Sequence, residues 1–188
     1  MLCKKYVLGI IVVLALGLPV LAACSETSPT FGKYYRGKTL DVSVVSLERA
    51  DEIRYKWPRD ASGKHWRLGP EEGENELVLL RVKVENHTAT SAIVNIDSKA
   101  AELRDFLRGK YFPIDINARV EETTVPENPG AERPIVFLWN ATLSDGSTQA
   151  FNLEQDMGID GVLVFEAPKD TKFKEFRWRA GDSLSIDF

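Results

Sequence analysis

The side chains able to act as nucleophiles, bases or metal ligands are few. Cys3 and Cys24 are the only thiols, and His65 and His87 the only imidazoles. The two histidines stand at no metal-ligand spacing, and the chain has neither a G-x-S-x-G nucleophile turn nor a phosphate-cradling glycine loop. Carboxylates cluster at Glu71, Glu72, Glu74 and Glu76 and again at Asp156 and Asp160. Oxygen ligands of this kind hold calcium when loop spacing converges them. Neither cluster has that spacing, so both read as solvated acidic loops.

The thiol with the clearest context is Cys24. It follows Leu21, Ala22 and Ala23, after an uncharged apolar run from Tyr6 to Ala23 and two N-terminal cations, Lys4 and Lys5. A polar stretch, Ser25-Glu26-Thr27-Ser28-Pro29, comes next. A branched residue, two small residues and a cysteine resemble the lipobox of bacterial lipoproteins. The resemblance implies that residues 1–23 are a signal peptide, removed before any fold reasoning applies. The Cys24 thiol then takes a diacylglycerol, and the small residues fit the peptidase beside the scissile bond. Two other readings stay open: an uncleaved apolar anchor, since about 18 residues is near the lower limit for a span, and an ordinary signal-peptidase site. All three export the domain. The residue after Cys24 is Ser25 rather than an aspartate, which leaves the cell membrane and the outer membrane both open as destinations.

Loss of Lys4 and Lys5 with the signal lowers the 24 basic residues to 22, against 28 acidic ones, for a net charge of −6. Nucleic-acid binding rests on a basic surface, so nucleic acid is excluded as a partner. With Cys3 removed and Cys24 lipidated, the exported domain has no disulfide and depends on packing alone.

Residues 24–37 read as a lipidated tether, and residues 38–188 as one domain. Strand signals recur along that domain with turn residues between them. In Leu40 to Leu47, the two-residue period puts Leu40, Val42, Val44 and Ser46 on one face. Glu52 to Trp57 alternates Ile53, Tyr55 and Trp57 with charges. The clearest strand is Glu76 to Asn86, with Val78, Leu80, Val82 and Val84 on one face and Arg81, Lys83 and Glu85 on the other. Further strands are expected at Ser91 to Asp97, Ala101 to Arg104, Lys110 to Ile116, Ile135 to Ala141, Gln149 to Glu154, Gly161 to Ala167, Phe173 to Arg179 and Ser183 to Phe188. Ser98 to Leu107 has good helix formers, but strand-turn-strand fits it better. Many short strands and almost no helix predict two antiparallel sheets packed face to face. The predicted core is Val78, Leu80, Val82, Val84, Leu163, Phe165, Phe176 and Trp178.

Asn75 to Asn86 (NELVLLRVKVEN), Ala101 to Pro113 (AELRDFLRGKYFP), Gly161 to Lys169 (GVLVFEAPK) and Phe173 to Trp178 resemble a family of exported bacterial immunoglobulin-like lipoproteins. That family is related to the mycobacterial immunogenic secreted protein. This chain departs from it in the turn at 105–109 and in the extra residues of 117–147. The resemblance implies an immunoglobulin-like β-sandwich and an extracytoplasmic address, and no reaction.

Trp57 to Gly69 (WPRDASGKHWRLG) joins two expected strands. Loops carry function on sandwiches, and tryptophan with arginine is the composition of binding hot spots. Trp57, His65, Trp66 and Arg67 therefore form a candidate recognition loop, although Trp57 also falls on the apolar face of its strand. The function expected is a membrane-anchored, non-enzymatic module that binds a protein or envelope component, without a cofactor. The rivals are an envelope-polymer hydrolase using paired carboxylates and a carrier of a metal or small ligand.

Overall fold

The structure is a computed structural model that describes residues 25–56, 64–125 and 146–188. Among these the strands in chain order are β1 (Ser25–Glu26), β2 (Tyr35–Arg36), β3 (Leu40–Ala50), β4 (Ile53–Lys56), β5 (His65–Leu68), β6 (Asn75–Asn86) and β7 (Ser91–Ile96). They continue as β8 (Ala101–Asp105), β9 (Lys110–Tyr111), β10 (Glu121–Thr123), β11 (Gln149–Glu154), β12 (Gly158–Pro168), β13 (Phe173–Trp178) and β14 (Leu184–Asp187). The one helix described is a single turn, α1 (Ile116–Arg119), whose first amides are capped by the Asp115 carboxylate accepting from Asn117 N. All pairings are antiparallel, and the chain forms the expected all-β sandwich.

A middle sheet runs β1-β3-β6-β12, with β2 also on β3. The sheet β14-β13-β8-β9 and the pair β11-β7 cover one face of it. The main core lies between them: Leu40, Val42, Val44, Leu47, Val78, Leu80, Val82, Val84, Leu163 and Phe165 from the middle sheet meet Val94, Leu103, Phe176, Trp178 and Ile186. All eight core residues named from the sequence are fully buried. The Trp178 indole also has a partner, its Nε1 donating to Ala180 O at 2.8 Å.

The structure corrects the sequence reading in four places. The register of β3 shifts between Val44 and Ser46, so Leu47 takes the inward position and Ser46 leaves the core. An extra residue in one strand reverses the facing of everything after it. Lys110 to Ile116 holds only the short strand β9 before the chain turns into α1. The strip 25–37 is not a free tether, because β1 and β2 pair with β3 and Phe31 packs edge-on against Phe188 at 5.5 Å. Finally, a third layer covers the other face of the middle sheet. The small sheet β10-β5-β4 and α1 bury Ile53, Tyr55, Leu68 and Ile116 against Leu77 and Val164. Strands β6 and β12 are thus covered on both faces over part of their length, which explains their runs LVLL and VLVF. The expected strand Ile135 to Ala141 lies outside the described residues.

Candidate functional site

The third layer positions a polar concavity. The chain leaves β3 at Ala50, turns through Asp51 and Glu52, and enters β4; β5 returns beside it and ends at Leu68, before Gly69 and Pro70. Asp51, Glu52, Arg67, Gly69, Pro70, Glu71, Ala118, Arg119 and Glu121 line a cleft of about 400 Å³ there. Every ionisable side chain in this lining has an opposite charge against it. Arg67 reaches Glu121 at 2.6 Å and Glu52 at 3.5 Å. Arg54 also meets Glu52, at 2.9 Å, and Lys169 holds Asp51 at 2.8 Å. Arg119 meets Glu71 at 3.3 Å.

Beneath the cleft, Glu166 of β12 acts as a hub. One carboxylate oxygen accepts from Glu71 N at 3.0 Å, Glu72 N at 3.2 Å and Asn75 Nδ2 at 2.8 Å. The other accepts from Arg119 at 2.6 Å, and the same guanidinium nitrogen also donates to Gly69 O at 3.1 Å. Burial alone would push the Glu166 carboxyl up, but these donors outweigh it and hold the group below the usual carboxylate range. The hub fixes the β5–β6 turn and the α1 guanidinium to one side chain on the middle sheet.

Two other carboxyls are displaced, and in the same direction. Asp182 is desolvated, yet the amides of Thr39, Leu40, Ser183 and Lys38 lower it; it accepts from Thr39 N at 2.8 Å and Leu40 N at 3.1 Å. Glu175 is likewise desolvated, and bonds from Arg177 and Ser185 lower it. All three therefore stay ionised near neutrality.

Of the candidate recognition residues, the three described do not all share one face. His65, Trp66 and Arg67 lie in strand β5, between β4 and β10, rather than in a loop. Alternation along the strand sends Trp66 and Leu68 to the apolar cluster of the third layer and Arg67 to the polar cleft. The Trp66 Nε1 and His65 Nδ1 atoms are buried without a hydrogen-bond partner among the described residues. Trp57, Leu21, Ala22, Ala23 and Cys24 lie outside the described residues. His87 sits at the opposite end of the sandwich, where its amide donates to Thr39 O at 3.1 Å. Among the described residues no group of three or more His, Cys, Asp and Glu could hold a metal, and no helix is long and apolar enough to cross a membrane. Three members of the acidic clusters are in ion pairs: Glu71 with Arg119, Glu76 with Arg49, and Asp160 with Arg81 at 2.6 Å.

Sequence reasoning missed Arg119 and Glu166. The alternation in GVLVFEAP places Glu166 on the face of Val162 and Val164, and a carboxylate there signals a partner from a covering layer.

A second concavity of about 440 Å³ lies at the same end of the middle sheet, on its other face. It is lined by Glu26, Thr27, Ser28, Pro29, Phe31, Phe106, Lys172, Phe173 and Phe188. Arg49 contacts two of these residues: the guanidinium bonds Glu26, as well as Glu76 and the Thr171 carbonyl, and lies 5.4 Å from the centre of the Phe173 ring.

No family model and no curated protein matches the chain. Among solved structures it is similar to the yjhA protein from Bacillus subtilis, at 14% identity and a TM-score of 0.49, over 84% of this chain and 95% of that one. It is also similar to ycdA of Bacillus subtilis subsp. subtilis str. 168, a protein provisionally designated a lipoprotein. That match has 16% identity and a TM-score of 0.44, over 86% of this chain and 39% of that one. A functionally unknown protein from Listeria monocytogenes EGD-e matches at 8% identity and a TM-score of 0.43, over 89% and 88%.

Proposed function

We propose that the chain is an extracytoplasmic lipoprotein, anchored through lipid on Cys24, whose sandwich is a non-enzymatic binding module for a polar envelope component. The observation that carries the binding reading is the cleft around Arg67 and Arg119. Its charges are compensated pair by pair, and the outer members, Arg67, Glu71 and Glu121, are exposed enough to exchange partners with an incoming ligand. A charged group entering there would replace a carboxylate on Arg67 at little rearrangement of the β scaffold.

The same charges argue for recognition over hydrolysis. A general acid needs a carboxyl held protonated, whereas the Glu166 carboxyl beneath the cleft is pushed toward ionisation. Each carboxylate of the cleft faces a cation instead of a second carboxylate. The anchor reading rests on Leu21-Ala22-Ala23-Cys24 and on β1, which begins at the next residue.

The test is chemical cross-linking in cells followed by capture, with the native chain beside Arg67→Ala. Arg67 packs in no apolar cluster, so its loss leaves the fold intact. Specific loss of a cross-linked species with Arg67→Ala supports the cleft as the binding site. An identical set of products from both chains removes it.

A further inference from the structure

We propose that the β8–β9 turn is a membrane-contact element: Phe106 and Leu107 insert into the interface of the lipid bilayer that holds Cys24. This rests on the anchored reading above and adds the orientation of the domain to it.

The turn is built to present apolar side chains outward. The Asp105 carboxylate accepts from Leu107 N at 2.8 Å and Gly109 N at 2.6 Å, and from the Tyr111 hydroxyl at 2.9 Å. Arg108 takes a positive φ of 72°, and a Cβ at Gly109 would stand 2.5 Å from an Asp105 oxygen. With the backbone fixed in this way, Phe106 is left 66% exposed and Leu107 90% exposed. Adjacent large apolar side chains on a rigid tip mark a surface that meets something apolar.

The occupant follows from where the proposed anchor lies. Ser25 is paired with Glu48, and Glu26 with Leu47. Cys24 precedes Ser25 directly in the sequence, so the proposed lipid attaches one residue before β1. An attachment that close brings the end of the sandwich carrying β1 to the headgroups. Phe106 is at that end, lining the same concavity as Glu26, Thr27, Ser28 and Pro29. Arg108 and Lys110 on the turn, and Lys172 beside Phe106, make no ion pair with a described residue, and cations next to an apolar tip suit an anionic leaflet. The acidic β5–β6 turn, Glu71 to Glu74, lies at this end on the other face of the middle sheet. It tilts the domain so that the β8–β9 turn goes down and the acidic turn away.

The experiment uses the full-length chain carrying Leu107→Cys, expressed with its own signal, purified from membranes, labelled with an environment-sensitive fluorophore and reconstituted into vesicles of phosphatidylethanolamine and phosphatidylglycerol. Leu107 makes almost no contact, so the substitution leaves the fold alone. The reference position is Met157→Cys, exposed at the opposite end, where its carbonyl accepts from Asn86 N. Quenching by a spin label on the acyl chains is expected to be about threefold or more stronger at 107 than at 157, as for a side chain in the interface. Equal, weak quenching in a lipidated, vesicle-bound chain overturns the inference and leaves the anchor standing. A probe at 107 that is shielded from water yet unquenched by lipid also overturns it, since protein would then cover the tip. If mass spectrometry finds a second label on Cys24, that thiol was free; the anchored reading falls, and the inference with it.

Discussion

Glu166 offers the sharpest quantitative test of the three-layer architecture. Its carboxylate takes two backbone amides, the Asn75 amide and the Arg119 guanidinium. The side chains of Glu166 and Arg119 are only 11% and 14% exposed, so solvent screens the pair weakly. Removing one member of such a pair costs about 3–5 kcal/mol, because the other charge stays desolvated. Arg119 keeps Gly69 O and Glu71, which puts Glu166→Ala at the lower end, about 3 kcal/mol. Glu166→Gln retains an acceptor for the turn amides and loses one charge-assisted bond, for about 2 kcal/mol. With a urea dependence of about 2 kcal/mol per molar, the alanine variant should lower the unfolding midpoint by about 1.5 M. A cycle with Arg119→Met should return a coupling of at least about 1.5 kcal/mol. A Glu166→Ala loss under about 1 kcal/mol, or a coupling near zero, would mean that the hub behaves as surface charge and the third layer is held by apolar contacts alone.

Other consequences can be measured on the same chain. Glu166, Glu175 and Asp182 have folded-state pKa values below those of the unfolded chain. Their stabilisation is thus complete above about pH 4–5 and lost as pH falls through the folded values; urea midpoints should drop steadily below pH 4, and Asp182→Asn should flatten part of that slope. Trp178→Ala should destabilise by about 3–5 kcal/mol, through the cavity it leaves in a fully buried site, and a cost below about half of that would place the tryptophan outside the cooperative core. Arg49→Met removes the guanidinium that bonds Glu26 and Glu76, so hydrogen exchange at Glu26 and Leu47 should accelerate well beyond that at Leu80; uniform acceleration would contradict a local role.

The sandwich was legible wherever one strand face is apolar and the other charged. Val82 and Val84 against Arg81 and Lys83 place both the strand and its inward face without any structure. Legibility failed where a second layer adds another apolar face. Leu77 and Leu79 interrupt the alternation because they meet β4, β5 and α1, and a one-face reading treats them as noise. Strand β5 was hidden because its charged residues and the preceding Pro58 and Gly63 look like loop chemistry, while pairing with β4 and β10 decides the matter. The bulge at Val45 leaves no residue signature, and the inward position of Leu47 emerges only from the register with β6. At the cleft, Arg67 was singled out for its company in the sequence. The residues it pairs with, Glu52 and Glu121, come from other segments, as do Arg119 and Glu166 of the adjoining hub, and no local pattern joins them to Arg67.

The claim on which the rest depends is covalent. Intact-mass analysis of the protein extracted from the membrane fraction should show a chain beginning at Cys24, heavier than its residues by a diacylglyceryl group. A Cys24→Ala chain should retain residues 1–23 and carry no lipid mass. Recovery of the native chain with an unmodified thiol at Cys24 would contradict the account.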